Sequence, residues 1–121
     1  MISSNNINIA SRSVLSSPGA IRSELPLSLD AVIKVMEARQ EICDILDGKS
    51  KKFMMIVGPC SIHDPEAAIE YAERLKALSE EVKDRILIVM RVYFEKPRTT
   101  VGWKGLIYDP DLNKSYNIEK G

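Results

Sequence analysis

The chain has 121 residues, 45% of them hydrophobic and 28% charged, with seventeen basic residues against seventeen acidic ones. That is the composition of a soluble globular domain, and the zero formal net charge gives no support to nucleic-acid or anionic-membrane binding, since either leaves a basic excess. No run reaches the roughly eighteen consecutive apolar residues of a membrane span, and Cys43 and Cys60 are scattered thiols, not a disulfide framework, so a cytoplasmic protein with reduced cysteines is expected.

Residues 1–25 read as a flexible tail rich in Ser and Asn, without the basic start and apolar block of a secretory signal. Pro18-Gly19 reads as a turn, and Pro26 closes this lead-in. Residues 26–50 form a helical extension. Ser28 or Asp30 can cap a helix with apolar residues at Leu29, Val32, Ile33, Met36, Ile42, Ile45 and Leu46, and Gly48 is placed to end it. Cys43 borders that stripe and reads as a small buried apolar group, not as a ligand. The helix precedes the first strand, so it is an addition that packs on the closed end of the core or on a partner subunit.

Phe53-Met54-Met55-Ile56-Val57 is a short apolar run followed directly by Gly58-Pro59-Cys60-Ser61-Ile62-His63-Asp64. Asp64 is a natural N-cap, Pro65 suits the first helical position, and Glu66 complements the positive helix end. The helix that follows has apolar residues at Ala68, Tyr71, Ala72, Leu75, Leu78 and Val82, with Glu70 and Arg74 as a surface pair. A second apolar run, Ile86-Leu87-Ile88-Val89-Met90, then leads into a polar block from Arg91 to Leu106. The remainder, from Asp109 to Tyr116, is turn-like. Its Asn113-Lys114-Ser115 matches a glycosylation acceptor only by chance.

Strand, long helical crossover, strand is an order that makes the two strands parallel. Both runs are apolar at consecutive positions, as in strands covered on both faces. In parallel α/β folds the chemistry gathers at the carboxyl ends of the strands, which brings Cys60, Arg91, Lys96 and Arg98 to one side. A thiolate-capable metal ligand beside a group of cations suggests a metal-dependent enzyme acting on phosphorylated, carboxylated small molecules. His63, at a helix start, reads as a capping or packing residue. Trp103 reads as a loop anchor, and for Arg98 and Lys104 a solvent-exposed position without a role is the lesser alternative.

The stretches Gly58 to Asp64 and Met90 to Leu106 closely resemble the amino-terminal third of class I 3-deoxy-D-arabino-heptulosonate-7-phosphate (DAHP) synthases, of the branch inhibited by aromatic amino acids. The resemblance runs from about Leu25 to Gly121. It implies an α/β fold in which residues 51–121 give the first two strands and intervening helix of an eight-fold β/α (TIM) barrel, an incomplete one, since such barrels take about 250 residues. It also implies condensation of phosphoenolpyruvate with erythrose 4-phosphate to DAHP and phosphate, the first step of the shikimate route to chorismate, in a protein that is a homo-oligomer at full length.

Site residues carry over by the same resemblance. Cys60 is the metal-binding cysteine, suited to Mn, Fe, Co or Zn. Arg91 and Lys96 hold the phosphoenolpyruvate phosphate and carboxylate, and Lys96 also reaches the aldehyde of the second substrate, where it can donate a proton. Pro97 rigidly places Arg98 and Thr99, which bind the erythrose phosphate group. The family's other metal ligands, a histidine, a glutamate and an aspartate, belong to later strands. The 121-residue chain is therefore expected to be inactive alone; the alternative is a non-catalytic segment that associates with a full-length synthase.

Overall fold

The computed structural model describes Ile9, residues 12–98 and residues 100–121. The elements in chain order are α1 (Pro18–Glu24), α2 (Leu29–Leu46), β1 (Phe53–Val57), α3 (Pro65–Val82) and β2 (Ile86–Met90). β1 and β2 pair in parallel with register Phe53↔Ile86 through Val57↔Met90, and α3 is the crossover between them, as the apolar runs and the helical spacing predict. No helix among the described residues is long and apolar enough to cross a membrane.

Pro18-Gly19 opens a helix, not the expected turn. Ser17 is extended and its Oγ accepts from the Ala20 amide at 3.2 Å, while Pro18 takes the first helical position. Ser-Pro here acts as cap plus first helical residue. The rest of the tail expected over residues 1–25 falls partly outside the described residues.

α2 is capped by Ser28, whose Oγ accepts from the Ala31 amide at 3.2 Å. Asp30 sits in the first turn and pairs with Lys34 at 2.7 Å. Gly48, at φ 73°, takes the left-handed position after the helix. Lys52, just before β1, reaches Glu41 of α2 at 2.5 Å, which ties the extension to the sheet. Cys43 is exposed, contrary to the expectation of burial, because α2 meets β1 along a narrow line and leaves Leu29, Met36 and Leu46 open as well.

Asp64 caps α3 as its sequence implies, with Oδ1 accepting from the Glu66 amide at 2.9 Å and the Ala67 amide at 3.3 Å. Such a cap contributes about 1 kcal/mol. α3 packs on β2, with Ala72 and Leu75 near Ile88 and Met90. The strands are not covered on both faces as their composition predicts. β2 is half-buried throughout, but Phe53 is 76% and Ile56 63% exposed. The physical reason is that α3 packs on β2 while α2 meets β1 only briefly, so that much of β1 stays uncovered. Ile62 is the buried apolar side chain of the described residues. Its amide donates to the Tyr93 carbonyl at 2.7 Å, which joins the loop after β1 to the loop after β2 and so fixes the edge where the polar motifs meet.

Candidate active site

The two motif loops leave adjacent parallel strands, and Gly58 allows them to touch. A Cβ at Gly58 would lie 2.5 Å from the Arg91 carbonyl oxygen. With no side chain there, the Arg91 amide donates to the Val57 carbonyl at 2.6 Å and extends the ladder one rung. Arg91 then turns its guanidinium back across the first loop, where Nη2 donates to the Cys60 carbonyl at 3.2 Å and the group lies 4.9 Å from the centre of the Tyr93 ring. This is the packing expected of a planar cation.

Lys96 Nζ donates to Cys60 Sγ at 3.0 Å. The Cys60 thiol is held below its usual pKa, chiefly by that hydrogen bond and the Lys96 charge, with smaller help from Arg91 and Arg98. Alkylation provides the check. The rate of Cys60 modification by iodoacetamide should rise at lower pH than for the same thiol in the unfolded chain, because a depressed pKa populates the thiolate earlier. Lys96→Met should move that rise back to higher pH; an unchanged profile would remove Lys96 as its cause.

A short hairpin places the cations beyond Lys96. Glu95 and Gly105 form an antiparallel bridge, and the Lys96 amide donates to the Lys104 carbonyl at 2.9 Å. Gly105, at φ 114°, is required here, since a Cβ would stand 2.6 Å from Glu95 Cα. Across Pro97, the Arg98 amide donates to the Lys96 carbonyl at 2.7 Å. Lys104 Nζ donates to the Arg98 carbonyl at 2.7 Å. Glu95, Lys96, Pro97, Arg98, Lys104 and Tyr108 line an open groove, a place where oxyanions can meet several donors at once.

Cys60, Arg91, Lys96, Pro97 and Arg98 thus gather on the carboxyl edge of the sheet, whereas Thr99 lies outside the described residues. His63 is exposed beside an apolar hollow lined by Pro59, Ile62 and Tyr71, and the helix cap is made by Asp64, not by His63. Trp103 is the loop anchor expected of it, with Nε1 donating to the Asp109 carbonyl at 2.8 Å. Lys104 is half-buried and ties down the Arg98 main chain, which counts against the lesser alternative of plain exposure. Its apolar neighbours Trp103 and Leu106 carried that signal in the sequence. Among the described residues no three His, Cys, Asp or Glu side chains group as a metal site. Cys60 fits a soft divalent ion as one donor, since its thiolate form is favoured, but one donor does not make a site.

This parallel β–α–β unit, with a thiol and three cations at its carboxyl edge, belongs to an α/β enzyme family: residues 24–121 of the chain match the DAHP synthetase I family. The chain is 50% identical over 117 residues to the Tyr-sensitive phospho-2-dehydro-3-deoxyheptonate aldolase of Escherichia coli, a match covering 97% of this chain and 33% of the relative. It is likewise 50% identical over 107 residues to the phenylalanine-inhibited aldolase of Saccharomyces cerevisiae, covering 88% of this chain and 29% of that one. The solved structure of phospho-2-dehydro-3-deoxyheptonate aldolase from Francisella tularensis superposes with a TM-score of 0.88 at 50% identity, over 93% of this chain and 33% of that structure. The chain therefore spans about a third of the length of these relatives.

Proposed function

We propose that the protein acts as a 3-deoxy-7-phosphoheptulonate synthase, joining phosphoenolpyruvate to erythrose 4-phosphate and releasing phosphate, as the first step towards the aromatic amino acids. In this reading the described elements are the opening of a closed TIM barrel in a cytoplasmic homo-oligomer. The observation that carries it is the 3.0 Å contact between Lys96 Nζ and Cys60 Sγ at the carboxyl edge, in a chain half identical to relatives bearing the aldolase name.

The residues divide the work by their chemistry. Arg91, fixed by the β2 rung and by Cys60, presents a rigid fork to the phosphate or carboxylate of phosphoenolpyruvate. Lys96 is a mobile point charge that can meet the same anion and also give a proton to the oxygen that develops negative charge as the carbon–carbon bond forms. Arg98, with Thr99 beside it, takes the phosphate of the sugar. Together the cations hold two polyanions side by side against their repulsion and turn an encounter into an oriented reaction. Cys60 would supply one ligand to a divalent Mn, Fe, Co or Zn ion, and the other ligands would have to come from residues outside those described. That ion would supply Lewis-acid polarisation of the aldehyde.

Phosphate release from the two substrates, assayed with each of the four metals on the full-length protein, tests the proposal. Turnover with at least one metal is expected, and none with any of them would sink it. The 121 residues alone should give no turnover, since the described residues bring one credible ligand, and should self-associate through the open faces of β1 and α2. Those open apolar faces, with Phe53 at 76% and Leu29 at 76% exposed, favour the second reading, a segment that docks on a complete synthase. Exchange into a full-length oligomer without turnover would support that reading over the first.

A further inference from the structure

Asp109 is 3% exposed, the buried charged side chain of the described residues, and the chemistry above does not use it. Its Oδ2 accepts from the Lys114 amide at 3.1 Å. Its carbonyl accepts from Trp103 Nε1 at 2.8 Å, and its amide donates to the Gly105 carbonyl at 3.0 Å. Residues 103 and 105 flank Lys104, whose carbonyl accepts from the Lys96 amide and whose ammonium donates to the Arg98 carbonyl. The carboxylate thus anchors Asp109 to Lys114, while the Asp109 main chain holds Trp103 and Gly105, the covalent neighbours of the residue that bonds the main chain of two groove cations. On the other side, Oδ2 supports a segment in which Leu112, Lys114 and Tyr116 all have positive φ, a backbone that persists only where its surroundings hold it.

Arg91 does not depend on this loop. Its main chain is a rung of the sheet, bonded to Val57. Displacing the loop would thus shift the Lys96 and Arg98 main chains while leaving Arg91 in place.

We propose that Asp109 is a positioning residue for the sugar-phosphate side of the groove, acting through Trp103, Lys104 and Gly105 on Arg98 and Lys96. The inference rests on the synthase reading for its substrates, but its geometry can be tested separately. In the full-length protein, Asp109→Ala is expected to raise the KM for erythrose 4-phosphate about tenfold and the KM for phosphoenolpyruvate, which Arg91 holds independently of the loop, by a smaller factor. Asp109→Asn keeps an acceptor for the Lys114 amide and should restore most of the loss. Trp103→Phe, which removes the other tie without touching the carboxylate, should raise the same KM about threefold and covers the case in which Asp109→Ala does not fold. Hydrogen exchange on the same proteins supplies the activity-free readout. The Lys96 and Lys114 amides should exchange faster in Asp109→Ala and the Arg91 amide at the parent rate. A uniform fall in active protein with both KM values unchanged, or unaltered protection at Lys96, would overturn the proposal. Absence of turnover in the parent would defeat the synthase reading alone, and the exchange result would still decide this one.

Discussion

Cys60→Ser in the full-length protein is expected to lower metal-dependent turnover on the order of 100-fold or more, with the fold intact. Serine nearly matches cysteine in size, and Cys60 is exposed, so packing changes little. The chemistry changes much more: a thiolate is a soft anionic donor, whereas a hydroxyl stays protonated at neutral pH and binds divalent Mn, Fe, Co or Zn weakly. The loss also removes the group that Lys96 and the Arg91 guanidinium surround through its Sγ and its carbonyl, although the carbonyl contact at 3.2 Å belongs to the main chain and is retained. Metal content of the purified variant, by elemental analysis beside circular dichroism, is the measurement. Undiminished metal affinity would remove Cys60 from the ligand set.

Lys96→Met should lower kcat by roughly 100-fold or more while changing the KM for phosphoenolpyruvate by less than about tenfold. Methionine keeps the length and apolar stem of lysine but has no charge and no proton to give. If Lys96 mainly meets charge that appears in the transition state, the loss falls on turnover. On the synthase reading, Arg91, anchored independently by the Val57 carbonyl at 2.6 Å, would retain ground-state binding of the anion. Steady-state kinetics with each substrate varied separately makes the distinction. A raised KM with unchanged kcat would assign Lys96 to holding the ground-state phosphate instead.

The main elements were legible in the sequence because each carried its own local signal. The apolar runs Phe53–Val57 and Ile86–Met90 are both strands at those bounds, and Asp64-Pro65 begins α3 at the residue its capping chemistry indicates. The positions of Cys60, Arg91, Lys96 and Arg98 followed from strand direction alone, since loops after parallel strands emerge on one edge. What the sequence did not give were relations between elements. The exposure of Cys43 depends on how little of α2 the sheet can cover, which periodicity does not report. The helix at Pro18 turned on a choice between two readings of Ser-Pro-Gly that short-range preference leaves balanced. Asp109, in a stretch that reads as turn, shows its importance only through contacts to Trp103, Gly105 and Lys114, residues whose ties to it no spacing rule links.

The closeness of the two motif loops at Gly58 bears on how variation at this edge would be tolerated. Any side chain at position 58 would begin 2.5 Å from a main-chain oxygen, the Arg91 carbonyl, and no flexible tip is available there to swing away. In a saturation library selected for growth without aromatic supplements, position 58 should therefore be as intolerant as the charged residues, and Gly105, hemmed in by Glu95 Cα at 2.6 Å, likewise. Neither glycine can touch a substrate with a side chain. Their invariance under selection would mark the distance between two loops, and a search for catalytic groups that ranked positions by intolerance alone would mistake that spacing for chemistry.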